Sequence, residues 1–152
     1  MWKHSLAACA LFALPFVACA NAPAAPAQYD PALAASLGAD ERGMRQYVLV
    51  ILKTGPNRMA DGDARKQMFQ GHFANMGKLA GEKKLVLAGP LDGKEGRRGI
   101  FVFNTPDIET AKTWVATDPV IIHGGMIAEY HKFYGSAALM MVNEVHGKIE
   151  KK

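Results

Sequence analysis

His72 and Asp118 are the two side chains in this sequence whose types and settings best suit proton transfer. His72 lies three residues after Phe69 and four before Met76, so on a helix it shares the apolar face that those residues form. An imidazole held there loses hydration and needs a polar partner. Asp118, which stands directly before Pro119 at the end of a second helical pattern, is the candidate partner. A buried histidine oriented by a carboxylate can transfer protons near neutral pH.

Both residues also have a purely structural interpretation, which the sequence leaves open. His72 can be a core imidazole that donates to a neighbouring backbone carbonyl. Asp118 can cap a short helix that has Pro119 at its first position. Against this, the same carboxylate ends the preceding helix, where the macrodipole disfavours negative charge. A negative charge placed at a helix C-terminus without an evident gain in stability points to a functional site.

Four further residues are predicted to line a small, partly apolar pocket beside His72: Phe69, Met76, Gly89 and Pro90. Gly89 and Pro90 end a predicted strand, where a glycine lets a ligand approach the backbone, although ordinary turn chemistry also explains them. Glu129 and His131 lie two residues apart and so share one face of a strand. Because no third ligand has suitable spacing, we predict no metal site and no cofactor.

Hydrophobic periodicity predicts the elements that position these side chains. A helix over Asp61–Glu82 carries an apolar stripe made of Met68, Phe69, Phe73, Met76, Leu79 and Ala80. A second helix opens at Thr105–Asp107, where either end residue can cap it, and stops before Pro119. A short apolar piece, Val120–Ile122, follows. Strands are predicted over Tyr47–Leu52, Leu85–Ala88, Gly99–Phe103 and Met126–Tyr134.

The order strand, helix, strand, strand, helix, strand predicts an α+β fold of the ferredoxin-like βαββαβ type, with both helices on one face of the sheet. Tyr47–Leu52 and Ile100–Phe103 are apolar at every position, which indicates that both sheet faces are covered. The second face therefore meets an extra C-terminal helix, predicted over Ser136–His146, or a second subunit. We predict a homodimer with two-fold symmetry, packed sheet to sheet.

The first residues of the chain predict export. Residues 1–20 combine Lys3 with a run that is apolar from Leu6 to Ala18 and interrupted only by Pro15. This pattern predicts a signal peptide, because a membrane span needs about 20 apolar residues. Cleavage before Asn21 would give a periplasmic or secreted protein. Lipidation of Cys19 would instead give a lipid-anchored lipoprotein, and that lipid is the one membrane contact we predict.

The rest of the 152-residue chain divides into three parts. Residues 21–43 are an Ala/Pro-rich tether with a short helix over Pro31–Glu41, residues 44–146 are one folded domain, and residues 147–152 are a tail. Cys9 and Cys19 both belong to the signal, so the domain has no thiol for a disulfide or a nucleophile. The net charge of +4 comes from scattered basic residues, which argues against nucleic-acid binding.

Five segments, in their order and spacing, carry a likeness that covers residues 45–135: Gly71-His72, Leu85–Gly93, Gly99–Phe103, Ile108–Trp114 and Thr117–Val120. Through them the chain resembles the YciI-like (YCII-related) family of small dimeric α+β barrel proteins. The resemblance implies a His and Asp pair at a pocket in each subunit, here His72 and Asp118, and relatives that act on ring substrates by dehydrochlorination or isomerisation. The export signal, a longer loop after the first strand and the added C-terminal helix depart from the small cytoplasmic pattern.

Together these observations predict a small exported enzyme, a lyase or isomerase, that acts on a small ring or carbonyl compound. His72 would remove a proton from a carbon next to a carbonyl or from a phenolic hydroxyl, and Asp118 would hold the ring. Proton abstraction, isomerisation and elimination are all compatible with this pair. The alternative is a non-catalytic homodimer that binds a ligand or acts as a scaffold.

Overall fold

The computed structural model describes residues 28–151. The predicted signal peptide at residues 1–20, its cleavage before Asn21 and the lipid on Cys19 lie outside the described residues. The described chain forms α1 (Pro31–Ser36), β1 (Met44–Thr54), α2 (Asp63–Gly81), β2 (Leu85–Pro90), β3 (Arg97–Phe103), α3 (Ile108–Val115), α4 (Pro119–Ile122), β4 (Met126–Ser136) and α5 (Val142–Ile149). Over residues 28–151, no helix is both long enough and apolar enough to span a bilayer.

The strands form one four-stranded sheet in the order β2-β3-β1-β4, and each neighbouring pair is antiparallel. β1 and β4 pair over their whole length, from Met44 opposite Ser136 to Thr54 opposite Met126. Helix α2 connects β1 to β2, and α3 with α4 connects β3 to β4. This is the ferredoxin-like arrangement, so the predicted α+β fold and its extra C-terminal helix are confirmed.

The main hydrophobic core lies between the sheet and helices α2 and α3. Every second residue of β1 from Val48 to Leu52 points to the helices, as the two-residue period of a strand requires. The buried members of this core are Val48, Val50, Leu52, Leu79, Leu85, Phe101, Phe103, Ala111 and Val115. Burying each large apolar side chain contributes about 1.5–3 kcal/mol, so this layer fixes the positions of α2 and α3 on the sheet.

The opposite face of the sheet, which we call the outer face, is covered only in part. Tyr47, Val86 and Val102 are buried there beneath Leu139 and Met140 of the C-terminal segment. The Tyr47 hydroxyl donates to the Ser136 carbonyl oxygen at 2.9 Å, which satisfies the polar end of this buried ring. The described C-terminal segment therefore protects one part of the outer face and leaves the rest open.

The C-terminal segment is not the single helix predicted over residues 136–146. Ala137–Met141 form a 3₁₀ segment whose tight turns keep Leu139 against the sheet, and α5 begins only after it. α5 then runs into the predicted tail, because Glu144 and Lys148, four residues apart, form an ion pair of 2.6 Å that supports its last turn.

Two other short segments differ from the prediction. α1 ends at Ser36 rather than at Glu41, because Gly38 takes the left-handed conformation, with φ of 64°, that ends helices. The apolar piece Val120–Ile122 is helical, since the Asp118 side chain accepts from the Val120 amide and caps α4.

The apolar stripe predicted on α2 is only partly buried. Met68, His72 and Leu79 are buried, but Phe73 is 64% exposed. Its predicted place in the buried stripe is wrong, because one residue along a helix turns the side chain by about 100° away from His72.

Candidate functional site

His72 and Asp118 form a direct, buried pair. The His72 Nδ1 atom lies 2.9 Å from Asp118 Oδ1 and 2.8 Å from Asp118 Oδ2. Their exposed fractions are 7% and 1%. Residues 46 positions apart in the chain are thus brought together by the packing of α2 against α4.

Asp118 is held in place by a second contact. Its Oδ1 atom also accepts from the Val120 amide at 3.1 Å, and Pro119 occupies the first position of α4. This is the structural role that the sequence offered as an alternative, so the carboxylate caps a helix and contacts the imidazole at once. A capped carboxylate has little freedom to move, and it therefore fixes the direction of the ring.

A close approach of two helices makes the pair geometrically possible. Gly71, the residue before His72, lies against Pro119, the residue after Asp118. A Cβ atom added to Gly71 would be 2.9 Å from Pro119 Cγ, nearer than packed carbon atoms come. Only glycine lets α2 come this close to α4.

The second ring nitrogen of His72, Nε2, has no partner within residues 28–151. A carboxylate only accepts hydrogen bonds, so His72 Nδ1 carries a proton, and in the neutral ring the lone pair is then on Nε2. Nε2 makes no hydrogen bond with residues 28–151. Since it is not one of the fully buried side-chain atoms without a partner, it keeps some access to solvent. Because His72 lines a cavity of about 290 Å³, its basic nitrogen can meet a ligand there.

Aromatic rings surround the imidazole. Phe101 stacks on it at a centroid distance of 6.1 Å, and Phe69 meets it edge to face, also at 6.1 Å. Phe73 lies 5.3 Å away and, being largely exposed, stands at the entrance of the cavity. These rings restrict the imidazole and exclude water from one side of it.

The predicted pocket residues all line this cavity: Phe69, Met76, Gly89 and Pro90. It also contains residues that sequence reasoning missed, namely Phe73, Phe101 and Arg98. Arg98 was hidden because the register between β1 and β3 slips by one residue at this point, where Leu52 faces Gly99 and Lys53 faces Arg97. A simple two-residue alternation therefore assigns its side chain to the wrong face.

Glu129 and His131, which share one face of a strand, lie away from the His72 cavity. His131 Nε2 is 2.9 Å from Glu129 Oε1 on the outer face, and both side chains are exposed. Hydrogen bonds from His131 and Lys53 hold the pKa of Glu129 below its usual value. Across residues 28–151, no three His, Cys, Asp or Glu side chains are grouped to hold a metal ion.

Comparison with known proteins finds a matching family model and a similar solved structure. The family model described as "YCII-related domain" matches residues 46–132. A solved structure of 5-chloro-2-hydroxyhydroquinone dehydrochlorinase (TftG) from Burkholderia phenoliruptrix AC1100, in complex with 2,5-dihydroxybenzoquinone, is similar at 19% identity and a TM-score of 0.40. The similarity covers 55% of this chain and 90% of that one. No curated protein matches the chain.

Proposed function

Because this chain belongs to the YCII-related domain family, we propose that it is a small enzyme in which His72 is a general base and then a general acid. Asp118 orients the imidazole and stabilises the cation that forms when Nε2 takes a proton. The observation that carries the proposal is that Nδ1 pairs with a buried carboxylate at 2.8 Å while His72 lines a cavity and its Nε2 has no partner within residues 28–151. A purely structural imidazole needs no such opening.

The reaction class follows from what one imidazole can do. His72 Nε2 removes a proton from a carbon next to a carbonyl, and the electron pair of that C–H bond becomes an enolate. Return of the proton to another atom gives isomerisation. Elimination results instead when the enolate electrons form a new C=C bond and a leaving group on the adjacent carbon departs with the electron pair of its own bond. Removal of a phenolic proton begins the same sequence in a hydroxylated ring. The proposal for this chain does not use the reaction of the dehydrochlorinase described above.

A second candidate function is a non-catalytic protein that binds a ligand in the same cavity. One observation favours it: the Asp118 carboxylate caps α4 through the Val120 amide, so it has a structural use without any chemistry. In that case His72 would be a hydrogen-bonding wall of the pocket. The two candidates differ in whether His72 moves protons.

The open part of the outer face fits a second copy of this chain. Leu49, Ile51 and Ile127 leave apolar surface there, because the described C-terminal segment covers only the neighbouring part of the sheet. Lys53 and Glu129 form an ion pair of 3.4 Å beside these residues. A two-fold axis brings the same patch of each copy together, so acidic and basic groups on one face can pair across it. We propose the predicted sheet-to-sheet homodimer on this ground.

The predicted export extends this proposal to the place of action. The signal-like residues 1–20 support a periplasmic or secreted enzyme, and Cys19 supports a lipid-anchored form as the alternative. Either form would meet small molecules outside the cytoplasm.

Proton exchange tests the enzyme proposal without knowledge of the product. Small ring ketones, lactones and phenols are incubated with the protein in D₂O, and deuterium uptake at carbon is measured by mass spectrometry. We expect His72→Gln to slow the exchange by about 10² to 10⁴-fold. His146→Gln changes an exposed histidine on α5 and should exchange at the wild-type rate. If, for every compound tested, the wild-type protein exchanged protons no faster than His72→Gln does, the binding-protein function would be favoured instead.

A further inference from the structure

A second cavity, of about 190 Å³, adjoins the His72 cavity and carries strong positive charge. Three of the residues that line it are arginines: Arg58, Arg65 and Arg98. The two cavities share Phe69, Arg98 and Met126 as lining residues, so one ligand can occupy both. The remaining lining residues of the second cavity include no aspartate or glutamate.

The positive charge of this cavity is poorly compensated. Arg65 Nη1 lies 2.7 Å from Asp61 Oδ1, but the Asp61 side chain is 92% exposed, so water screens the pair. Within residues 28–151, Arg58 and Arg98 form no ion pair. Guanidinium groups gathered in a concave site without carboxylates favour an anion there.

The loop that carries Arg58 is held to the rest of the fold. The Gly55 amide donates to the Gly125 carbonyl oxygen at 2.9 Å, and the Asn57 amide donates to that of Gly124 at 3.1 Å. A Cβ atom on Gly55 would lie 2.2 Å from the Gly124 oxygen, so this seam requires glycine. Arg58 is therefore presented from a fixed backbone rather than from a loose loop.

The other two arginines are also directed. The slip in register leaves Arg98 as the extra residue of β3, and such irregularities re-aim side chains beside active sites. The Arg65 guanidinium lies 5.2 Å from the centre of the Phe69 ring, which also contacts His72. This cation–π contact holds Arg65 beside the aromatic wall that the two cavities share.

We propose that Arg58, Arg65 and Arg98 form an oxyanion-binding subsite for the substrate of the His72 site. The substrate would be a small ring compound that bears a carboxylate or phosphate, with the anionic group on the arginines and the ring against Phe69. The reacting atom would then lie at His72 Nε2. This inference rests on the proposed function in one respect: that the bound anion is the substrate.

Binding of simple probes tests the subsite directly. Benzoate, phenyl phosphate and the uncharged benzamide are titrated into the full folded domain, and the His72 ring and arginine Nε–H signals are followed by NMR. We expect one or both anions to bind about tenfold or more tightly than benzamide, since charged hydrogen bonds add that much. The tighter of the two anions identifies the carboxylate or the phosphate as the preferred group.

Two variants locate the charge. Arg98→Gln should weaken binding of the preferred anion and leave the affinity for benzamide unchanged. Arg97→Gln removes the same charge from the preceding position of β3, where Arg97 Nη1 pairs with Glu95 at 2.9 Å. This variant should bind the anion as tightly as the wild type does. Equal losses in both variants would show diffuse surface charge and overturn the subsite, as would equal or undetectable binding of anions and benzamide.

A third variant separates this inference from the proposed function. His72→Gln should keep the anion preference, because the arginines do not depend on the imidazole. Selective anion binding together with no proton exchange would leave the subsite standing and refute the enzyme. Proton exchange without any preference for anions would support the enzyme and refute the subsite.

Discussion

Gly71 contacts Pro119 so closely that a single added carbon would come 2.9 Å from the proline ring. The next residue after the glycine is His72, and the residue before the proline is Asp118, so this contact sets the distance of the proposed catalytic pair. The hydrogen bonds of 2.8 and 2.9 Å exist because two helices can approach without a side chain between them. A close helix contact is therefore a precondition of the chemistry.

Gly71→Ala should separate α2 from α4 and weaken the His72 pair. The gain in helix propensity, about 1 kcal/mol, is opposed by overpacking that costs about 1–3 kcal/mol. We expect no net gain in stability and a loss of proton exchange activity. Urea unfolding and the D₂O assay measure the two effects.

Gly77→Ala is the matched control on the same helix. A Cβ atom there meets nothing within 4 Å, so the change should stabilise the protein by about 0.5–1 kcal/mol. Activity should be unchanged. If Gly71→Ala behaved like Gly77→Ala in both assays, the contact with Pro119 would have no role in positioning the pair.

Asp118→Asn should reverse the tautomer of His72. The Asn side-chain oxygen would take the place of Asp118 Oδ1, which accepts from the Val120 amide at 3.1 Å, and would keep this hydrogen bond. Its NH₂ group would then face His72 Nδ1. A donor at that position places the imidazole proton on Nε2 and removes the basic lone pair from the cavity. We expect at least about 10²-fold less proton exchange. The ¹⁵N shifts of the two ring nitrogens report the tautomer, and an unchanged tautomer would contradict this account.

The cap of α3 should make stability depend on pH in the acid range. Hydrogen bonds from the Thr110 hydroxyl and amide hold the pKa of Asp107 below its usual value. Since the folded pKa is the lower one, the charged cap contributes fully above the unfolded value of about 3.9, and this contribution is lost as the pH falls through the folded value.

Asp107→Asn keeps a capping side chain but removes this dependence. Near neutral pH the variant should be less stable than the wild type, and the difference should shrink as the pH falls below about 4. Urea unfolding at pH 7, 5 and 3 measures the difference. A gap that stays constant across this range would show that the charge of Asp107 does not contribute.

Ile51→Lys tests the proposed dimer. A lysine in the centre of the outer face would lie opposite Glu129, which already pairs with Lys53, and would add one more charge from each copy to the apolar contact, at a cost of about 3 kcal/mol or more. Dimerisation should therefore weaken more than about hundredfold, which sedimentation velocity detects. Ile122→Lys changes a side chain of α4 that is 66% exposed and should leave the assembly unaltered. A monomeric wild type, or a dimeric Ile51→Lys variant, would contradict the proposal.

The fold could be predicted from the sequence because the continuous apolar runs of the strands differ from the helical stripe with its spacings of three and four, and because these elements follow one another in the ferredoxin-like order. Strand order, the Asp107 cap and the burial of His72 follow from residues near each other in the chain. Tertiary contacts decided what local patterns could not. The stripe on α2 gave no sign that Phe73 would remain at a cavity entrance, because Phe69, four residues before it, and Met76, three residues after it, are both apolar.

The arginine site escaped prediction for a different reason. Arg58 follows a turn, Arg65 lies in the first turn of a helix and Arg98 lies near the start of the second strand of a hairpin, and each looks like an ordinary solvated side chain. The register slip in β3 and the backbone bonds at Gly55 bring them together. Neither feature has a periodic signal, because each depends on which strand or loop lies opposite.

The long pairing of β1 with β4 also determines how the domain can be attached to something else. Its two outer ends, Met44 and Ser136, are partners at one end of the sheet, and the Ala137 amide donates to the Gly43 carbonyl oxygen at 2.9 Å beside them. Thr54 and Met126, at the other end, line the arginine cavity. Eleven residues at roughly 3.3 Å each separate the two ends. An affinity handle or a surface tether joined ahead of Met44 would thus hold the domain by its base, with the mouth of the cavity facing outward.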